Sequence, residues 1–257
     1  MREEYFDILH KLQRHHTLFS EFWGVGSIVE TNSIPTAAIA FDKIGKGINF
    51  MINPKFWNKL SIDEKSFIIS HECLHVYYEH GRRGQALINQ GKNDTEKNLF
   101  AKLFNIAGDI VINHTLCDTF GFKRNDLKFE SFKTKDKDGN IINIGADAMC
   151  WIDTIFKDDP TIEHGRSAEY YFEKLKQMHN DMSSIGNGQD TIDDHSGIMQ
   201  NNDGGNKELE EIVKEISKRV SDQEFEDFEE KISKNQEEHK NAQNAGSIGG
   251  NFVKIIK

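Results

Sequence analysis

From Ser61 to Gly81 the chain has little choice but to form a helix that turns two histidines to one side. Ser61-Ile62-Asp63-Glu64 is a capping box, with Ser61 closing the first turn and Glu64 reaching back to it. Apolar Ile62, Phe67, Ile68, Leu74 and Val76 follow at helical spacing. Gly81 is a natural stop after His80, so the pattern predicts a helix over 62–80. Within it lies His71-Glu72-Cys73-Leu74-His75. At 3.6 residues per turn, two imidazoles four apart leave the same face and can grip one ion.

Such an HExxH segment suits catalytic zinc. The ion binds imidazole nitrogen at roughly 2.0–2.1 Å and keeps one position open for water. Glu72, beside the first histidine, can take a proton from that water and pass it to a leaving group. By composition alone the five-residue pattern arises in about one chain in a hundred of this length, so a third ligand is needed to support it. His80, nine residues after His71, would point to the far side of a continuous helix. A third histidine ten residues after the first is ruled out, because Gly81 stands there.

Asp109 is the better candidate. A second helix is expected from Asp94 or Thr95 to Gly121, rich in Leu99, Phe100, Leu103, Phe104, Ile106, Ile110, Val111 and Leu116. A carboxylate buried in such a rod is costly unless it is paired, hydrogen-bonded or bound to a metal. Asn105, Asp109 and Asn113 lie four apart and form one polar stripe, with the asparagines expected to support the ligands. Gly108 removes a side chain beside Asp109 and would let another backbone come close. The alternative is a structural carboxylate paired with Arg82 or Arg83. His114 reads as a helix-face histidine. For the group that steadies a developing oxyanion, the candidates are His195, in the polar loop, and Tyr170 or Tyr171, which read more simply as packing residues.

Around these helices the pattern is mixed. Residues 3–20 have helical periodicity. Thr36–Phe41 and Ile48–Ile52 read as two strands of a hairpin, and residues 84–94 as a loop. Residues 127–144 form a second hairpin around Asp138-Gly139, which lacks the closing glutamate of a calcium loop. Helical stretches are expected over 146–156 and 167–181, a long loop over 182–206, and charged helices over 207–220 and 222–243. The division that follows is a catalytic-type domain over 1–200 and an acidic helical extension over 201–257.

Composition narrows the class. A net charge of −10 argues against a general nucleic-acid binder. No apolar run approaches the length of a membrane span. Cys73, Cys117 and Cys150 are odd in number and far apart, which suits a reducing cytoplasm.

Several segments together resemble a known family. They are Ile34-Pro35-Thr36-Ala37-Ala38, Asn53-Pro54-x-Phe56, Leu60, the HExxH segment, His80-x-Arg82-Arg83, Asn105-Ile106-Ala107-x-Asp109-x-x-x-Asn113, Ser167-Ala168-Glu169-x-Tyr171 and Ala242-x-x-Ala245-Gly246-Ser247-x-Gly249-Gly250. They are similar to the metallopeptidase domain often found ahead of a von Willebrand factor A-like domain in bacteria and phages, over most of residues 30–200. The resemblance implies an α+β, zincin-like fold: a small, partly antiparallel sheet packed on the HExxH helix, with additional helices. It also implies zinc held by His71, His75 and Asp109. The chain stops where the A-like domain would begin, so a stand-alone form or a fragment is expected.

The expected activity is zinc-dependent hydrolysis of peptide bonds, with Glu72 as general base and His195 assisting, on a protein or peptide substrate. Either Thr36–Phe41 or Ile48–Ile52 would hold that substrate by strand addition. The alternatives are a catalytically silent metal-binding module that recognises a protein partner, docked through the C-terminal helices, and a hydrolase of non-peptide amides or esters.

Overall fold

A computed structural model describes residues 2–41, 48–130, 132–135, 140–157, 159–183, 215–216 and 218–245. The fold is α+β. It opens with α1 (Arg2–His15) and α2 (Thr17–Val25). Acidic Glu3 and Glu4 start α1 and basic Arg14 and His15 end it, each sign matching the helix dipole. The His16 side chain accepts the Leu18 N–H and so caps α2.

Three strands follow: β1 (Gly26–Glu30), β2 (Ala37–Phe41) and β3 (Ile48–Ile52). The expected hairpin is present, with β2 antiparallel to β3 and Ala37 opposite Ile52. The sheet order is β1-β3-β2, with β1 parallel to β3. The periodicity did not announce β1, because four of its five residues face solvent and show no alternation. The order also decides between the two strands considered for substrate. β3 is hydrogen-bonded on both sides, so Ile48–Ile52 cannot accept another strand, whereas β2 is an edge.

Asn53 caps the short α3 (Pro54–Trp57), with Pro54 at its first position. The capping box at Ser61 opens α4 (Ile62–Tyr77) as expected. Glu64 also accepts the Phe129 N–H, tying the loop after the next long helix to the start of α4. The end differs from the expectation. The chain breaks at Glu79, which takes a left-handed conformation (φ 54°), and restarts as α5 (His80–Ile88). Gly81 therefore does not stop a helix, and part of the expected loop over 84–94 is helical. The glycines of α5 serve packing: a Cβ on Gly84 would sit 2.7 Å from the Phe104 ring.

Phe104 belongs to α6 (Asp94–Phe120), capped by Asn93 and closed by Gly121 at φ 75°. This is the rod expected from Asp94 to Gly121, and nearly all its central residues are buried. β4 (Lys133–Lys135) and β5 (Ile141–Asn143) form the second hairpin. The stretch 146–156 divides into a 3-10 turn over Gly145–Ala148 and α7 (Ile152–Phe156). α8 (Ala168–Ser183) runs along α6. The single helix expected over 222–243 is two, α9 (Asp222–Ile232) and α10 (Gln236–Asn244), because Asn235 caps a new start. α8 takes in the first two residues of the loop expected over 182–206; the rest of that loop, with His195, and most of the helix expected over 207–220 lie outside the described residues.

The core runs through the middle of the helical layer, and α9 closes one side of it. Phe228 is fully buried, with its ring 5.1 Å from Tyr77, 5.3 Å from Phe120 and 5.7 Å from Phe19. Among the described residues no helix is long and apolar enough to cross a membrane.

Candidate metal centre

α4 and α6 pack against each other, and their polar stripes meet at one point. His71 and His75 leave α4 one turn apart, and Asp109 leaves α6 opposite them. All three are buried. Nε2 of His75 lies 2.9 Å from Nε2 of His71 and 3.0 Å from Oδ1 of Asp109, and His71 Nε2 lies 3.3 Å from the same oxygen. Donors around a tetrahedral ion with bonds of ~2.0–2.1 Å stand about 3.3 Å apart. The three atoms are thus spaced much as one small cation requires. Two ring nitrogens that close, both with a lone pair, repel each other unless a proton or a cation lies between them. The donor set fits a metal on this ground.

Each imidazole is held from behind. His71 Nδ1 lies 2.9 Å from Asn113 Oδ1, and Asn113 Nδ2 donates to the Cys150 carbonyl at 3.0 Å. The carbonyl can only accept, so it sets the Asn113 amide with its oxygen toward His71. Nδ1 of His71 must then carry the proton, which leaves Nε2 bare for a ligand. Asn113 therefore stands directly behind His71, and Asn105 lies buried two turns earlier on the same helix. Behind His75 stands His80, with the two Nδ1 atoms 3.0 Å apart. The break at Glu79 lets His80 turn back toward His75, rather than away from it as on a continuous helix.

Gly108 makes room for this pair. A Cβ there would lie 2.8 Å from His80 Nδ1 and 3.4 Å from His75 Cε1. What comes close to Gly108 is thus the two imidazoles and not another backbone.

His80 in turn meets a residue that sequence reasoning missed. Its Nε2 lies 2.7 Å from Oε1 of Glu238, a wholly buried carboxylate on α10. Arg83 binds both Glu238 and Glu169, and Arg82 reaches Glu79 at 3.5 Å. Burial acts to raise the Glu238 pKa, but the Arg83 charge and the His80 bond outweigh it and hold the carboxyl well below its ordinary range. In the sequence, Glu238 sits in Gln236-Glu237-Glu238-His239-Lys240 and looks like any solvated helix face. Its one local signal is Asn235 three residues before it, a cap.

In front of the His71 imidazole is a cleft of about 540 Å³, counting its open mouth, of a size suited to small ligands or side chains. Glu72, His71 and Asp109 line it, together with Thr36, just before β2, and Ala37, its first residue. Phe56, Phe129 and Phe132 form an aromatic wall, with Phe132 stacked on Phe56 at 5.8 Å. Tyr171 is buried and donates to the Glu163 carbonyl at 2.9 Å, and Tyr170 contacts the same loop. They pack on α8, as the simpler reading had it. His114 packs edge-on against Trp151.

A family model described as a putative metallopeptidase domain matches residues 37–257. The chain belongs to this family. As a member of the putative metallopeptidase domain family, it carries the family match from β2 through α10, so the sheet edge, the His-His-Asp group and Glu238 all fall within the matched region. No curated protein and no solved structure matches the chain.

Proposed function

We propose that this member of the family is a zinc-dependent peptidase. One observation carries the reading: His71, His75 and Asp109 converge on one point at the wall of a cleft that also contains Glu72 and ends at the edge strand β2. Two imidazoles and a carboxylate suit zinc among the common divalent ions. When bound, the ion supplies Lewis-acid polarisation of a carbonyl and makes a water molecule acidic enough to attack it near neutral pH. The remaining work belongs to the chain. The β2 edge at Thr36 and Ala37 would pair with an extended peptide. The aromatic wall would receive an apolar side chain next to the scissile bond. Glu72, with its carboxyl buried in the cleft, would take up the proton of the attacking water and return it to the departing amine. His195 is the candidate to steady the oxyanion. Three free thiols, two of them buried, fit a cytoplasmic setting.

The test is cleavage of a peptide library by the zinc-loaded chain and two variants. Glu72→Gln should keep the metal and lose turnover by about 10²–10⁴-fold. His71→Ala should lose both. Full activity in Glu72→Gln would refute the proposed base. A zinc-loaded wild type that cleaves no peptide would leave the silent metal-binding module, or a hydrolase of other amides and esters, as the reading.

A further inference from the structure

We propose that Glu238 is a positioning residue for the metal centre, which acts through His80 to turn a bare Nε2 of His75 toward the cation. The inference rests on the metal reading above and adds to it a residue 158 positions away from His80 in sequence.

The argument is one of proton counting. Glu238 is wholly buried and surrounded by donors: His80 Nε2 at 2.7 Å, Arg83 Nη2 at 3.0 Å, the Ala168 N–H at 2.8 Å, and Arg83 Nη1. An ionised carboxylate only accepts, so His80 must present its proton from Nε2. A neutral imidazole carries one N–H, which leaves Nδ1 of His80 as an acceptor. That atom lies 3.0 Å from Nδ1 of His75. The contact is a hydrogen bond only if His75 carries its own proton on Nδ1, and its Nε2 is then bare. The competing arrangement has His75 donate from Nε2 to Asp109, 3.0 Å away. That would set two proton-free Nδ1 atoms against each other. Glu238 thereby disfavours the metal-free pairing of His75 with Asp109 and favours the ligand form.

The position of Glu238 is itself fixed. Asn235 caps its backbone N–H at 3.2 Å, and Glu237 next to it binds Arg166 and, at 2.9 Å, Ser167. Arg83 is clamped on its other side by Glu169 at 2.8 and 2.6 Å.

Glu238→Gln discriminates. Its amide cannot accept at all four positions. If the NH₂ faces His80, the imidazole must move its proton to Nδ1, against His75. If the NH₂ faces Ala168, it opposes an N–H. The zinc dissociation constant, measured by chelator competition on the full chain, should weaken by about tenfold or more. Glu237→Gln loosens the same helix without touching His80 and should cost zinc affinity much less than Glu238→Gln does. Long-range ¹H–¹⁵N spectra of the zinc-loaded wild type provide a readout that needs no variant. They should show His80 protonated on Nε2 and His75 on Nδ1. A Glu238→Gln protein that binds zinc as tightly as wild type, or a His80 proton found on Nδ1, overturns the relay. A wild type that takes up no zinc overturns the metal centre, and the relay with it.

Discussion

Single atoms decide the geometry of this site, and Gly108 shows it most directly. Its missing Cβ is the space in which His80 and His75 meet. Gly108→Ala puts a methyl 2.8 Å from a ring that Glu238 holds from the other side. Overpacking of this kind costs roughly 1–3 kcal/mol. We expect a loss of that size in chemical unfolding, together with weaker zinc binding in chelator competition, because the ring that must give way is the one behind His75. The carboxylate at Asp109 was legible from its neighbours: an acid among Ile106, Ala107 and Ile110 has to be compensated. The carboxylate behind His80 was not legible, since in the sequence nothing distinguishes Glu238 from Glu237 beside it.

At the scale of elements, the joint between α4 and α5 does what a continuous helix could not. The left-handed turn at Glu79 redirects the chain so that His80 falls behind His75. The turn also buries the Glu79 carboxyl, which burial pushes up to about 7 against the partial relief of Arg82 and Arg83. The unfolded chain releases this proton near 4.5. Between about 4.5 and 7 the unfolded state therefore loses protons before the folded one, and stability falls as pH rises; above about 7 the loss is complete. Glu79→Gln should be more stable than wild type at pH 8 by about 1–3 kcal/mol and no different at pH 4, measured by urea unfolding at both pH values. A constant difference across the range would exclude this account. The capping box at Ser61 made the start of α4 readable, and in the structure Asn93 and Ser221 cap α6 and α9. The break at Glu79 was hidden because a left-handed glutamate leaves no mark in hydrophobic periodicity.

Over the whole molecule, the C-terminal helices belong to the same packed body as the site. Phe228 joins α2, α4 and α6 in one aromatic cluster, and Glu238 reaches the histidines from the next helix. Phe228→Ala should cost about 3–5 kcal/mol in urea unfolding, as expected for a large ring lost from a core. Because the cluster includes Tyr77, at the end of the HExxH helix, zinc should protect the variant less than the wild type against thermal unfolding. A cost below about 1 kcal/mol, the range of surface substitutions, would show that α9 only rests on the surface.

What the sequence alone determined is local. The i, i+4 spacing of His71 and His75, the capped helix that carries them, the buried acid on a second helix and the hairpin of β2 and β3 all follow from the periodicity of a few adjacent residues. The tertiary structure decided the rest: which strand is an edge, where α4 breaks, and which carboxylate lies against His80. These depend on pairings between segments far apart in the chain. Such pairings are selected by burial and by the need of each buried polar group for a partner, and neither leaves a repeating trace in the order of residues.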